Sequence, residues 1–88
     1  MVMRTQKLAP EYSKQADKYL IGLDVKNEQR IKTAIEKIPE GDIVPYKAHA
    51  GYYRLRVGKH RILYRWLNEE QLLIAIIDNR GQVYKKGV

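Results

Sequence analysis

The strongest alternation of hydrophobic and polar positions lies between residues 51 and 66. Two runs carry apolar residues at every second position, Tyr53, Leu55 and Val57 in the first and Ile62, Tyr64 and Trp66 in the second. A period of two is typical of β-strands that bury one face. Gly58 and Lys59 separate the runs, and glycine readily takes the positive φ that a two-residue hairpin turn needs. The segment therefore predicts a β-hairpin.

Arginines occupy the polar side of both predicted strands. They are Arg54, Arg56, Arg61 and Arg65. Like charges on neighbouring strands repel each other, so a sheet that needed only solubility would mix charges of both signs there. If the polar sides of the two strands coincide, four guanidinium groups share one surface. We interpret this surface as a site for an anion.

Helical spacing replaces the alternation in the first half of the chain. We predict a first strand over Val2–Leu8 and a helix that starts at Pro10, since proline fits the first position of a helix. The apolar stripe of this helix recurs every three or four residues, at Tyr12, Ala16, Tyr19, Leu20 and Leu23. Gly22 is typical of a helix end, and Asp24 is typical of the N-cap of a second helix.

The second helix has its own apolar stripe, at Ile31, Ala34, Ile35 and Ile38. Glu28 precedes Lys32 by four residues, a spacing that allows an ion pair along the helix. Pro39 and Gly41 end the helical pattern. Because the connection between the two helices is short, we expect them to form an antiparallel helical hairpin.

The remaining segments complete an α+β fold. Asp42–Ala50 predicts an irregular connection or an edge strand, Leu72–Ile77 a central strand, and Asp78–Gly81 a turn before a final segment, Val83–Val88. We predict one domain over residues 1–88, with a small antiparallel or mixed sheet of about four strands. The helical hairpin covers one face of this sheet. The other face stays open and carries the arginines.

Composition narrows the classes of partner. The 88 residues include 17 Lys and Arg against 10 Asp and Glu, a formal charge of +7, which favours a polyanion or an acidic protein as partner. With no cysteine and two histidines, the chain predicts no disulfide, no metal site and no cofactor. The polar N-terminus does not resemble a signal peptide, and no apolar run is long enough for a membrane span. We therefore expect a cytoplasmic protein with no membrane partner.

The basic residues fit cleavage of RNA without a metal, in which the RNA's own 2′-hydroxyl attacks the adjacent phosphorus. Arginine can clamp the phosphate and stabilise developing charge, but it cannot act as a base because its guanidinium stays protonated. Four residues near the predicted patch are candidates for moving the protons: Lys47, His49, Lys59 and His60. The residues alone leave this choice open.

Aromatic residues in the same region are candidates for stacking on bases. Tyr53, Tyr64 and Trp66 fall on the apolar side of the alternation, so we assign them to the core. Tyr52 falls on the polar side and can face outward. We assign Tyr52, together with Lys59 and Arg65, to substrate binding.

Two motifs resemble a known family. The run Gly-Tyr-Tyr-Arg-Leu-Arg-Val-Gly-Lys-His-Arg-Ile-Leu-Tyr at residues 51–64 resembles the central hairpin of RelE/ParE-superfamily toxins of type II toxin–antitoxin systems. Asn79–Tyr84 resembles their C-terminal signature, an arginine followed shortly by Val-Tyr. The order of the predicted elements is similar as well. The resemblance implies a RelE-like fold and a ribosome-dependent mRNA endoribonuclease that is held inactive by a cognate antitoxin.

The resemblance also implies roles for individual residues. Its catalytic set comprises Arg54, Arg56, Arg61, Arg80 and Tyr84, with Arg61 stabilising the transition state. Arg54 and Arg56 stand at basic positions that are often lysine in RelE, so the base is not assigned; His60 and Lys47 are its candidates. Asn79 stands where many relatives have a histidine, and Gly81 where many have a second basic residue.

Two alternatives come from other classes of protein. ParE-like members share the fold but inhibit DNA gyrase, and a further descendant could bind RNA or protein without catalysis. This chain has Arg61, Arg80 and Tyr84, a combination that the ParE branch generally lacks. We therefore favour the ribonuclease over the gyrase inhibitor.

Overall fold

The computed structural model describes residues 10–79, which form a five-stranded mixed sheet and two helices. The elements are β1 Glu11–Tyr12, α1 Lys14–Ile21, α2 Val25–Glu36, β2 Asp42–Pro45, β3 Tyr53–Val57, β4 His60–Asn68 and β5 Gln71–Asn79. The strand order is β1-β5-β4-β3-β2. Neighbouring strands from β2 to β5 are antiparallel, whereas β1 runs parallel to β5. The predicted α+β class is confirmed, with five strands in place of about four.

The start of α1 differs from the prediction. Pro10 is not in the helix; the chain first forms the short β1, and Ser13 is the N-cap. The Ser13 hydroxyl accepts a hydrogen bond from the amide of Ala16 at 3.1 Å, which satisfies a helix N–H that would otherwise lack a partner. Tyr12 therefore contacts the core from a strand. The predicted strand Val2–Leu8 lies outside the described residues, as does Val83–Val88.

The second helix follows the prediction closely. Asp24 caps it by accepting from the amide of Asn27, and Gly22 is the C-cap of α1. Glu28 and Lys32 form the predicted ion pair at 3.2 Å. Neither helix within residues 10–79 is long and apolar enough to span a membrane.

The core lies between the helices and one face of the sheet. From the helices it takes Ala16, Leu20, Ile31 and Ile35, and Ile38 follows directly after α2; from the strands it takes Leu55, Val57, Ile62, Tyr64, Leu72, Ile74 and Ile77. On β3 and β4 these residues stand at alternate positions, as the period of two predicts. The opposite face of the sheet is therefore the one that the helices leave uncovered.

A β-bulge interrupts the alternation on β5. Leu63 pairs with Ile76 and Tyr64 pairs with Ile74, which leaves Ala75 without a partner on β4. The carbonyl of Ala75 accepts a hydrogen bond of 2.6 Å from the Ser13 hydroxyl instead. The bulge lets Ile74 and Ile77 both reach the core, although three positions separate them. β5 also continues through Asn79, so the turn predicted from Asp78 does not begin there.

The hairpin turn has the geometry that its glycine predicts. Gly58 has φ of 61°, and no residue other than glycine in the described chain has a positive φ. A positive φ at only the first turn position is typical of a type II′ turn, whose twist matches that of the flanking strands. A side chain at Gly58 would also meet the guanidinium of Arg30 at 3.2 Å.

Candidate functional site

The register of the hairpin brings its arginines onto one face of the sheet. Arg56 on β3 lies opposite Arg61 on β4, and Arg54 lies opposite Leu63. Arg65 follows on the same side of β4, two residues beyond Leu63. The alternate positions on both strands are buried beneath the helices. We call the uncovered surface that carries Arg54, Arg56, Arg61 and Arg65 the arginine face.

Two of these arginines hold hydrogen-bond donors that no described residue satisfies. The Nε atoms of Arg54 and Arg56 are shielded from solvent and have no acceptor within residues 10–79. A buried donor left unpaired costs about 1–3 kcal/mol. A phosphate or carboxylate oxygen would remove that cost once the side chains turn to meet it, and guanidinium groups bind such oxygens in bidentate pairs. The arginine face thus has the chemistry of an anion site.

Acidic side chains offset only part of the charge on this face. Arg61 Nε lies 3.4 Å from Oδ1 of Asp78, its register partner on β5. Asp42 adds a carboxylate at the edge formed by β2. Arg54, by contrast, lies opposite Val44, an exposed apolar residue. The result is a positively charged surface with an apolar border.

His60 does not lie on the arginine face. It is the first residue of β4, and its side chain is 3% exposed on the helix-covered side, where Nδ1 lies 2.8 Å from the hydroxyl of Tyr19. The rings meet edge to face, with centroids 5.9 Å apart. The expected position of His60 near the patch is therefore wrong, because the alternation of β4 turns its side chain towards the core, on the side opposite to Arg61.

The environment of His60 makes the fold sensitive to acid. Burial lowers the pKa of His60, and the positive charges of Lys59 and Arg30 lower it further. The folded state therefore binds a proton less readily than the unfolded chain, whose histidine titrates near 6.5. The contribution of neutral His60 to stability is complete above pH 6.5 and is lost as the pH falls through the lower pKa of the folded state.

We expect the free energy of unfolding, measured by urea denaturation, to fall between pH 7.5 and pH 5. In His60→Gln this part of the pH dependence should be absent. His49→Gln is the matched control, because the His49 side chain is exposed and its replacement should leave the pH dependence in place. Equal pH dependence in the wild type and His60→Gln would contradict this account.

The other predicted residues are placed as follows. Lys59 is exposed in the hairpin turn, one position before β4, and Lys47 is exposed in the connection between β2 and β3. Tyr52 is half-buried in the same connection and faces outward, where the guanidinium of Arg65 lies 5.9 Å from its ring. Arg80 and Tyr84 lie outside the described residues.

Sequence reasoning missed an aromatic cluster beside the arginine face. The rings of Tyr46 and His49 stack with centroids 6.2 Å apart, and His49 meets Tyr52 at 6.0 Å. These three residues border a cavity of about 170 Å³, whose other walls come from β4 and β5. The spacing Tyr-x-x-His-x-x-Tyr was a signal that could have revealed the cluster, because a chain that turns every three residues brings such side chains together.

A second basic region lies along α2, and one of its cavities extends to Arg56 of the arginine face. Cavities of about 510 and 390 Å³ border the helix there, and Lys26, Arg30 and Lys37 line them together with the apolar Ala34 and Val57. Positive charge is thus spread over two sides of the molecule. The total charge therefore does not distinguish the two regions, and the unpaired donors are the reason why we take the arginine face as the candidate site.

Solved structures share this fold. No protein-family model and no curated protein matches the sequence. The chain is similar to one in the RelB–RelE antitoxin–toxin complex of Methanococcus jannaschii, with a TM-score of 0.68 and 25% identity over 86% of this chain and 96% of that chain. A chain of the archaeal RelE–RelB complex of Pyrococcus horikoshii matches with a TM-score of 0.67 and 21% identity, over 88% and 99%.

A bacterial complex gives the same result. In the toxin–antitoxin complex RelBE2 of Mycobacterium tuberculosis, the matching chain has a TM-score of 0.69 and 20% identity, over 88% of this chain and 95% of that chain. The chain thus shares the α+β fold of these RelE structures. These likenesses support a RelE-like toxin, and they agree with the resemblance that the hairpin motif carries.

Proposed function

We propose that this protein is the toxin of a type II toxin–antitoxin pair and acts as a ribosome-dependent endoribonuclease on mRNA. One observation carries the proposal: Arg54, Arg56 and Arg61 converge on a sheet face that the helices leave uncovered, and two of them hold buried donors without an acceptor in residues 10–79. Similarity to RelE chains in three toxin–antitoxin complexes supports it. A toxin of this kind acts in the cytoplasm, where ribosomes translate mRNA.

In the proposed reaction, the protein mainly supplies positive charge and holds the reacting atoms of the RNA in position. The ribose 2′-oxygen attacks the adjacent phosphorus, the bond from phosphorus to the 5′-oxygen breaks, and the products are a 2′,3′-cyclic phosphate and a 5′-hydroxyl. Negative charge grows on the phosphoryl oxygens during this step, so a guanidinium held in place accelerates it. Arg61 is the residue that we assign to this task, and Arg54 and Arg56 hold the substrate phosphate.

One proton must leave the 2′-hydroxyl and another must reach the 5′-oxygen. The strand arginines cannot accept a proton. His60 is buried on the other face of the sheet, so we assign it no proton transfer. Lys47 stays a candidate, and its place in the connection beside the arginine face is compatible with the role. Arg80 and Tyr84 complete the proposed catalytic set by the resemblance of the C-terminal motif.

We further propose a cognate antitoxin that blocks the arginine face. The face combines cations with exposed apolar side chains, Val44 and Ile76, at its β2 and β5 sides. Such a surface is complementary to an acidic amphipathic segment, whose carboxylates would pair with the arginines. Each chain of RelE type cited above was solved in complex with its RelB partner.

Co-expression with small proteins encoded beside its own gene tests the antitoxin proposal. We expect one of them to co-purify and to abolish toxicity, and Arg54→Glu to weaken that complex, because a reversed charge repels an acidic partner. Lys26→Glu, the same charge change in the first turn of α2, is the control and should leave the complex intact. Toxicity that no neighbouring product relieves would count against the proposal.

Translation in vitro tests the enzymatic proposal. We expect the purified full-length protein to cut a translated message and to leave the same message intact when ribosomes are omitted, with the new ends mapped by primer extension. Arg54→Glu should weaken ribosome affinity about tenfold and lower the slope of log affinity against log salt by about one, the signature of a lost phosphate contact. Lys26→Glu should change both values less. Intact messages together with gyrase-dependent DNA damage would favour the ParE-like alternative.

A further inference from the structure

We propose that the cavity beside the arginine face is a pocket for one unpaired RNA base. Its lining consists of Tyr46, His49, Tyr52, Leu63, Ala75 and Ile76. The inference rests on the proposed function, since it assigns a specificity element to that same surface. A base held here would fix how the single strand lies across the arginines.

The aromatic wall of the pocket is held by its own backbone. The amide of Tyr46 donates to the carbonyl of Tyr52 at 2.8 Å, the amide of His49 donates to Tyr46 at 3.3 Å, and the amide of Tyr52 donates to His49 at 3.2 Å. Gly51 has φ of 88°, a conformation that residues with a side chain rarely adopt. The wall is therefore a compact turn that presents three rings, and their arrangement exists before any ligand arrives.

The floor of the pocket comes from the β-bulge. Because Ala75 has no partner on β4, both Ala75 and its neighbour Ile76 line the cavity, together with Leu63. The small side chain of Ala75 leaves room where a larger residue would fill the space. Ile76 is 40% exposed, so it offers apolar contact area that no described residue covers. An apolar floor under aromatic walls is suited to a flat aromatic ring.

Size and charge favour a nucleobase over other occupants. A cavity of about 170 Å³ is smaller than the ~300 Å³ at which sites for drug-sized ligands begin, and it is therefore suited to one small group. Aromatic side chains stack on the π-face of any base. The guanidinium of Arg65 lies over Tyr52, and Arg54 lies opposite Leu63, so cations flank the pocket where the phosphates of a bound strand would run.

Two ligands that differ only in the base test the pocket. We would titrate the full-length, ¹⁵N-labelled protein with adenosine 5′-monophosphate or with ribose 5-phosphate and follow the backbone amides. Adenosine monophosphate should shift the amides of Leu63, Ala75 and Ile76 strongly, and ribose 5-phosphate should not. Both ligands should shift the amides near Arg54, because both carry the phosphate. Equal shifts in the pocket with the two ligands, or none, would overturn the proposal.

Two replacements of Tyr52 separate stacking from simple apolar contact. Tyr52→Phe keeps the ring and should bind adenosine monophosphate like the wild type. Tyr52→Leu keeps an apolar side chain but removes the ring, so its dissociation constant should rise roughly five- to a hundredfold. The amide spectrum of each variant reports whether it is folded. If Tyr52→Leu binds adenosine monophosphate as well as the wild type, the ring does not stack on the base and the base assignment is wrong.

Cleavage on ribosomes, measured separately, distinguishes the failure of this inference from the failure of the proposed function. If pocket shifts fail and ribosome-dependent cleavage persists, only the base pocket is wrong. If base-specific shifts occur and cleavage fails, the pocket is a nucleotide site on a protein that does not cut mRNA.

Discussion

Replacing Arg61 by alanine should slow cleavage of ribosome-bound mRNA about a hundredfold or more. Removal of one preorganised group that stabilises developing charge has this effect in enzymes. Arg61 is well placed for the role, because it lies opposite Arg56 in the register and Asp78 holds its Nε at 3.4 Å. Ribosome affinity should change less, since the interaction strengthens only as charge develops on the phosphate. Single-turnover cleavage at saturating protein measures the effect on the cleavage rate. Titration of ribosomes with the protein measures the effect on ribosome affinity.

Two further variants sharpen the Arg61 experiment. Arg61→Lys keeps the charge but lacks the bidentate geometry, so its rate should lie between those of the wild type and the alanine variant. Lys26→Ala removes a cation from the other basic region and should cut at the wild-type rate. If Arg61→Ala cuts as fast as the wild type, Arg61 does not stabilise the transition state and the proposed mechanism is wrong.

Features that depend on near neighbours in the chain could be predicted from the sequence. The alternation around Gly58 defined the hairpin, its buried side and its turn, because strand period and turn conformation are local properties. The N-cap at Asp24 and the Glu28–Lys32 ion pair involve residues three and four positions apart, and both are present. The grouping of arginines on one face followed from the same alternation.

Features that depend on contacts between distant segments could not be predicted in this way. Ser13 caps α1 and also donates to Ala75, 62 residues away, and its amide donates to the carbonyl of Ile74; these bonds create β1 where proline indicated a helix start. The bulge at Ala75 arises from the register of β4 with β5, which an apolar run does not specify. His60 was a candidate because it lies near the predicted patch in the sequence and can move a proton, yet the packing of Tyr19 from α1 gives it a buried partner.

The candidate site also combines features that depend on near neighbours in the chain with features that depend on distant segments. Its arginines were found because each stands beside an alternating apolar residue in one hairpin. The pocket was missed because its two sides belong to different parts of the chain: the ring of Tyr46 comes from the connection after β2, and Ala75 and Ile76 come from β5. Antiparallel pairing of β3, β4 and β5 brings these segments together, and no short motif encodes that approach.

Replacing Tyr64 by alanine should cost about 3–5 kcal/mol of folding free energy, the range for removing a large aromatic residue from a core. Its side chain is 2% exposed, and its ring stacks on that of Tyr53 with centroids 5.6 Å apart. A small domain has only about 5–15 kcal/mol of stability, so this loss removes a large part of it and should lower activity by raising the unfolded fraction. Urea unfolding, followed by the fluorescence of Trp66, measures the loss.

Tyr52→Ala is the matched comparison, because it removes the same side chain from the outward-facing side. We expect it to lower stability by less than about 1 kcal/mol, since Tyr52 is half-buried outside the core, and to lose base-dependent binding while folded. Replacing Tyr64 would then impair the protein through its folding, and replacing Tyr52 would impair it through recognition of the base. A Tyr64→Ala variant as stable as the wild type would contradict the core that the sheet and helices build, and a Tyr52→Ala variant that unfolds would make the aromatic wall a structural element instead of a binding surface.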